Sequence, residues 1–260
     1  MHYSIITGAA NGLGRAFVFE LAKRGMNTIL IDLPGTGLER LCENIEKDYG
    51  IHSVYYNTDL TIKDNIIELA NKINREYEVF MLINNAGMGG AMHFDEVDTD
   101  YIYRMIQLNV MAAPVLTHEL IPNLKRQDKS YILNISSMAA FSPIGYKTVY
   151  PASKVCINYF SRSLRQKFRI TNLSVSVLCP GPMKTNADVT KRIESHTALA
   201  KFCVVYPKKV AKKAIRRLLK KHPVIIISFA NVLNWFLMKI VPGFIMLPLV
   251  SRTMKKEAEG

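Results

Sequence analysis

Tyr150 and Lys154 stand four residues apart, so a helix carrying both presents them on one face. A phenol has an ordinary pKa of about 10 and exchanges protons poorly at neutral pH. A neighbouring ammonium stabilises the phenolate and lowers that pKa, which makes the pair an acid–base device for an oxygen. A second constellation lies near the start, in Thr7-Gly8-Ala9-Ala10-Asn11-Gly12-Leu13-Gly14. It follows a short β-rich run, Tyr3 to Thr7. It opens a stretch in which Leu13, Phe17 and Leu21 recur at helical spacing. Glycines there permit a tight turn and close approach of a diphosphate. The free N–H groups and positive dipole end of the helix attract that anion. Asp32 ends the next β-rich run, Thr28 to Asp32. A carboxylate in that place accepts hydrogen bonds from a ribose 2′-hydroxyl and repels a 2′-phosphate. Asn11 and Leu33 beside it are not basic, and Arg15 is the nearby cation. The expected ligand is a dinucleotide, NAD(H) in preference to NADP(H).

Five more apolar, β-rich runs follow: Ser53 to Tyr56, Val79 to Asn84, Tyr131 to Ile135, Ser174 to Cys179 and Val224 to Ser228. Several are nearly continuous, as in strands covered on both faces, and the intervals between them suit crossover helices. The pattern predicts an α/β fold: one doubly wound, Rossmann-type, seven-stranded parallel sheet over residues 1–228, with a helical extension over 229–260. Cys42, Cys156, Cys179 and Cys203 are scattered, and the six histidines make no ligand pair. Neither a disulfide framework nor a metal site is expected, and the cysteines read as buried, reduced thiols. The first residues already read as a strand, with no signal-peptide pattern, so a cytoplasmic location is expected.

Four segments together resemble the classical short-chain dehydrogenase/reductase family. They are Thr7-Gly8-x3-Gly12-x-Gly14, Asn84-Asn85-Ala86-Gly87, Ser136-Ser137 ahead of Tyr150-x3-Lys154, and Pro180-Gly181 after the sixth strand. They cover about residues 3 to 185 and are specific jointly rather than singly. The resemblance implies hydride transfer between a nicotinamide and a ketone or secondary alcohol. Tyr150 is then the proton carrier, its pKa lowered by Lys154 and by the positive charge of the oxidised nicotinamide. Lys154 also holds the nicotinamide ribose. Ser137 is implied over Ser136, by its spacing from Tyr150, to hold the substrate oxygen and stabilise its charge. Asn109, in Gln107-Leu108-Asn109-Val110, is implied to support a water chain to Lys154.

The cofactor site implied by the same resemblance comprises Gly8, Asn11, Gly12, Leu13, Gly14 and Asp32. Asp59 and Leu60 are placed at the adenine, and Asn85, Ala86 and Gly87 at the adenosine ribose. Pro180, Gly181 and Thr185 are placed at the nicotinamide. Family members pair through the helices carrying Asn109 and Tyr150, here about residues 101–125 and 151–168, which implies a homodimer or homotetramer.

No acidic residue lies between Glu194 and Glu257, and 13 of the 34 Lys and Arg fall in that stretch. The rest of the chain balances 21 against 21, so the net charge of +13 sits in the C-terminal quarter. From Lys208 to Lys221 basic pairs alternate with apolar pairs, which on a helix gives one basic and one apolar face. The basic face reads either as a solvated surface or as a contact with anionic lipid headgroups. Nucleic acid is not expected, because no interleaved aromatics accompany the charge. Residues 186–206 read as a lid over the substrate, and Ala198, Leu199, Phe202, Val204, Val205 and Tyr206 make it apolar. A hydrophobic substrate is expected: a 3-oxoacyl chain, a sphingoid-type ketone or a steroid. The uncharged run Pro223 to Met238 is 16 residues, short of the roughly 20 that span a bilayer. The tail to Val250 therefore reads as amphipathic helices that close the pocket and touch a membrane's inner face, with Arg252, Lys255 and Lys256 at the interface. The competing readings are a catalytically silent dinucleotide-binding regulator and a membrane-interaction protein.

Overall fold

The computed structural model describes residues 1–89, 93–184, 203–248 and 251. The strand–helix alternation of the sequence is realised in order. The first half runs β1 (His2–Thr7), α1 (Gly12–Ala22), β2 (Asn27–Asp32), α2 (Leu38–Tyr49), β3 (Ser53–Asn57), α3 (Lys63–Glu76) and β4 (Glu78–Asn84). Then come α4 (Thr99–Ile106), a π-helical turn (Gln107–Met111), α5 (Ala112–Lys125), β5 (Ser130–Ile135), α6 (Val149–Lys167) and β6 (Leu173–Leu178). The described chain closes with α7 (Pro207–Leu219), β7 (Val224–Ile225) and α8 (Phe229–Ile240).

The strands explain why their runs are nearly all apolar. Ile5 and Ile6 of β1 are both fully buried, yet they belong to different cores. Leu82 and Ile83 divide in the same way, as do Ile132 and Leu133. Successive strand side chains point to opposite faces, and here helices cover both. Phe17, Leu21, Leu41, Ile45 and Ile215 close one face, from α1, α2 and α7. Ile66, Leu69, Ile73, Leu116 and Leu120 close the other, from α3 and α5.

All seven strands are parallel in the order β3-β2-β1-β4-β5-β6-β7. The order reverses between β1 and β4, which opens a crevice at the carboxyl ends of those strands. The expected fold is therefore met, with one adjustment at its end. β7 ends at Ile225 rather than Ser228. Ser228 has φ 79°, turns the chain, and caps α8 by accepting the Asn231 N–H on its Oγ. Cys42, Cys179 and Cys203 are buried as expected, but Cys156 is exposed on the outer face of α6.

In α7 the apolar positions Val210, Ala211, Ala214, Ile215 and Leu218 are buried, and Lys208, Lys209, Lys212, Lys213 and Arg216 are exposed. Its apolar face thus belongs to the core.

Candidate active site

The glycine turn is built at the end of β1. Gly8 and Gly12 have φ of 64° and 53°, the left-handed region that favours glycine. A Cβ on Gly14 would fall on the Gly8 carbonyl. Thr7 and Asn85 stitch this turn to β4. Thr7 Oγ1 accepts the N–H groups of Asn85 and Ala86, both at 2.9 Å, while Asn85 Nδ2 donates to the carbonyls of Thr7 and Gly8. Asn11 begins α1 in an extended conformation with no side-chain cap, and the first turn holds no acidic residue. The orphan N–H groups and positive dipole end are thus left to an external anion. A cradle too tight for any Cβ, with uncapped donors above it, fits a diphosphate.

Asp32 has a structural task besides the one expected of it. Its two oxygens accept the N–H groups of Ala10 and Leu33, each at 2.8 Å, so it braces the turn from β2. Each carboxylate oxygen keeps a second lone pair for a ribose hydroxyl. Beyond β3, Asp59 Oδ1 accepts both the N–H and the hydroxyl of Thr61, and Leu60 is buried in the α3-side core.

The second half of the site gathers around the start of α6, which carries Tyr150 and Lys154 one turn apart. Lys154 is 5% exposed; its Nζ donates to the Ile135 carbonyl at 3.2 Å and lies 5.7 Å from the centre of the Tyr150 ring. Ser137 follows β5, and its hydroxyl is hydrogen-bonded to the Tyr150 phenol. Ser136 is turned away, donating to the Lys154 main-chain carbonyl at 2.7 Å.

Asn109 sits inside the π-helical turn, where one extra residue per turn rotates it inward; such turns recur at functional sites. It is 2% exposed. Its Oδ1 accepts the Met88 N–H at 2.9 Å, and its Nδ2 donates to the Met88 carbonyl at 2.8 Å and to Ser153 Oγ at 3.2 Å. Ser153 in turn donates to the Tyr150 carbonyl at 2.7 Å. The direct partners of Asn109 are therefore Met88 and Ser153, not Lys154. A Cβ on Gly87 would lie 3.0 Å from Asn109 Oδ1 and 3.2 Å from Lys154 Nζ, and one on Gly89 would lie 2.8 Å from the Tyr150 ring. The strand-end loop lies against the centre only because those residues have no side chain.

Burial sets the protonation states. It pushes the Tyr150 phenol above its ordinary value, and the Ser137 hydrogen bond offsets this in part. It pulls Lys154 down to about 8. The lowered phenol pKa expected from the sequence belongs to the complex with the oxidised nicotinamide; in the protein alone desolvation by burial is the largest influence on the phenol. Tyr150 is a neutral phenol at pH 7, a group ready to donate. Burial also pushes the Cys179 thiol up to about 12, which keeps it inert.

Pro180 and Gly181 are buried after β6. The Val205 N–H donates to the Pro182 carbonyl at 2.9 Å, and Met183 pairs with Val205. Thr185 and residues 186–202 of the expected lid lie outside the described residues. Ser251 returns to the loop before α6 and accepts the Gly145 N–H at 2.8 Å. Ser153 and Asn231 of this arrangement were not singled out by sequence, and Thr7 was named only within the glycine motif. Thr7 heads the glycine motif and Ser153 stands three residues after Tyr150, so both carried a positional signal. Asn231 carried none.

A sequence profile of the short chain dehydrogenase family matches residues 3–196. The chain is 33% identical over 186 residues to human 17-beta-hydroxysteroid dehydrogenase type 3, covering 70% of this chain and 59% of that protein. It is 31% identical over 182 residues to the very-long-chain 3-oxoacyl-CoA reductase of Anas platyrhynchos, covering 68% and 58%. The match thus spans just under three fifths of the length of these relatives. Among solved structures, a 7beta-hydroxysteroid dehydrogenase superposes with a TM-score of 0.82 at 19% identity, covering 92% of each chain. The bulky-bulky ketone specific alcohol dehydrogenase of Comamonas testosteroni gives 0.78 at 22% identity, covering 93% and 95%. The chain belongs to the short-chain dehydrogenase family.

Proposed function

We propose that this chain transfers a hydride between a nicotinamide dinucleotide and the ketone or secondary alcohol of a hydrophobic molecule. The observation that carries the reading is the meeting of Ser137, Tyr150 and Lys154 beneath the Gly87–Gly89 loop, with Asn109 fixing that loop. The cofactor is held along the crevice by Gly8, Asn11, Gly12, Leu13 and Gly14 at the diphosphate and by Asp32 at the adenosine ribose. Asp59, Leu60, Asn85, Ala86 and Gly87 follow around the adenosine. Lys154, Pro180, Gly181 and Thr185 hold the nicotinamide end. When bound it supplies or takes the hydride. Ser137 Oγ orients the substrate oxygen. Tyr150 delivers its phenol proton to that oxygen as negative charge gathers there, and Lys154, a cation below pH 8, steadies the phenolate left behind. In oxidation the same proton moves the other way. No observation favours a catalytically silent regulator.

A hydrophobic substrate is supported by the wall beside Ser137. Met138 and Phe141 begin and end the short helical turn that follows it, and Trp235 and Met238 of α8 pack there. The relatives named above for 3-oxoacyl-CoA and hydroxysteroid substrates point the same way. Turnover of NADH and NADPH against a panel of long-chain 3-oxoacyl thioesters, sphingoid-type ketones and ketosteroids tests the proposal. We expect one of these classes to turn over. Tight cofactor binding with no turnover on any would contradict it.

NAD(H) is proposed over NADP(H) on Asp32, although some solved neighbours are NADPH complexes. Asp32→Ser is expected to raise the KM for NADH about tenfold and to improve the NADPH-to-NADH ratio, since a 2′-phosphate no longer meets a carboxylate. It is also expected to lower stability by about 1–3 kcal/mol, because two backbone N–H groups lose a charged acceptor. An unchanged cofactor ratio in steady-state kinetics would refute the assignment.

The extension from residue 229 is proposed to close the pocket and rest on an anionic membrane surface at the cytoplasmic face. Phe229, Val232, Leu233, Phe236, Leu237 and Ile240 form one exposed apolar stripe on α8, continued by Phe244. Among the described residues no helix is long and apolar enough to cross a membrane. The protein is expected to sediment with anionic vesicles at low salt and less at high salt, and Phe229→Asp/Phe236→Asp to stay in solution. No sedimentation at low salt would rule the contact out. Pairing as a homodimer or homotetramer is proposed through the α4–α5 and α6 faces, where Tyr103, Met111 and Tyr159 are exposed.

A further inference from the structure

Asn231 lies in an apolar helix, yet it is completely buried. The two protons of its Nδ2 are shared among three acceptors drawn from two places. They are the Cys203 carbonyl at 2.9 Å, the Ile227 carbonyl at 3.1 Å and Ser228 Oγ at 2.8 Å. Its Oδ1 is buried with no partner in the protein. A buried amide oxygen without a donor is costly, and so is the positive φ of Ser228, which is not a glycine. The fold keeps both, so the carboxamide is held where it is by what it touches.

What it touches is Gly181. A Cβ there would lie 2.7 Å from Asn231 Nδ2 and 2.8 Å from Asn231 Cγ, and closer still to Oδ1. Gly181 has an ordinary negative-φ backbone, so contact with Asn231, rather than backbone freedom, is what excludes a side chain. On its other side Asn231 holds the Cys203 carbonyl, two residues before Val205, whose N–H bonds the Pro182 carbonyl. One side chain of α8 therefore packs against Gly181 and hydrogen-bonds Cys203, the two segments that the Met183–Val205 bridge joins. Asn231 has no hydrogen bond to Ser137, Tyr150, Lys154 or Asn109.

We infer that Asn231 is a positioning residue for the nicotinamide end of the site, fixing the Pro180–Gly181 turn against the cofactor from the C-terminal extension. This rests on the proposed cofactor site and adds a residue outside the segments that resemble the family. It ties α8, the helix with the exposed apolar stripe, to the turn next to the chemistry.

The test is calorimetric titration of NADH and NADPH into the wild type, Asn231→Leu, Asn231→Ala, Gly181→Ala and the double variant Gly181→Ala/Asn231→Ala, with kinetics on the same samples. Asn231→Leu keeps the branched outline of the side chain, slightly enlarged, and removes the donors. Its Kd for the preferred cofactor is expected to rise about tenfold, with turnover at saturation changing much less. Gly181→Ala is expected to weaken binding by at least as much. The double variant, which has room for the new methyl group, is expected to recover affinity relative to Gly181→Ala alone, a rescue that a general loss of stability does not produce. Asn231→Ala serves where Asn231→Leu fails to fold. Folded Asn231 variants that bind within twofold of the wild type, or a double variant no better than Gly181→Ala, overturn the inference while leaving the cofactor site in place. A wild type that binds neither nucleotide overturns the cofactor site and the inference together.

Discussion

Lys154→Met is expected to cut turnover by at least about 100-fold while raising the melting temperature. The two effects have one cause. Burial holds the ammonium near 8, against an ordinary value of 10.5. A shift of that size corresponds to about 3 kcal/mol at 1.36 kcal/mol per unit. The sign follows from proton binding. The folded state binds this proton more weakly than the unfolded chain, so below pH 8 the fold carries the whole cost. Between pH 8 and 10.5 the cost is relieved, and stability contributed by this group rises with pH. Methionine keeps the unbranched stem and removes the charge. The Ile135 carbonyl loses its donor, which returns about 1 kcal/mol. The net gain of about 2 kcal/mol is worth several degrees in a domain of this size, at roughly 2–4 °C per kcal/mol. The activity falls because nothing then steadies the Tyr150 phenolate. In the wild type the same ionisation makes the reductive kcat/KM fall as pH rises through about 8. A variant with lower melting temperature, or with wild-type turnover, would contradict the role given to Lys154.

Tyr150→Phe is expected to lower kcat by roughly 10²–10⁴-fold with cofactor affinity unchanged within about twofold. The substitution leaves the ring that packs beneath Gly89 and removes only the hydroxyl that hydrogen-bonds Ser137. Because burial keeps the phenol protonated well above neutral pH, the loss in the reductive direction should be constant between pH 6 and 7, below the ionisation of Lys154. Kinetics across that range with parallel NADH titration checks both halves. A variant that keeps a tenth or more of the activity would move the proton donor elsewhere.

The parts of this site that were legible in the sequence are those whose residue types do chemistry at fixed spacing. Tyr150 and Lys154 four apart needed only a helix, and α6 supplies it. The glycine turn needed a strand before and a helix after, and β1 and α1 are there. What stayed hidden depends on contacts between distant segments. Asp32 braces Ala10 because β2 lies next to β1, which no spacing rule states. The inward aim of Asn109 comes from a π-helical turn, and a 3.6-residue pattern does not reveal one extra residue. The upward push on the phenol of the protein alone stayed hidden because burial is a property of the packed site, not of a four-residue spacing. β7 stops early because Ser228 turns the chain into α8, although Ile226 and Ile227 read as strand. Asn231 reads as an ordinary polar residue in an apolar tail until Gly181, fifty positions earlier, is placed beside it.

The central claim is that this centre moves a hydride to a carbonyl carbon under Tyr150. The most direct measurement is mass spectrometry of the alcohol formed from a hydrophobic ketone with NADH deuterated at the transferring position of the nicotinamide. The account predicts one deuterium at the carbinol carbon with the wild type and no labelled alcohol above background with Tyr150→Phe. Unlabelled alcohol, or no alcohol from any ketone class while the nucleotide binds, would contradict it.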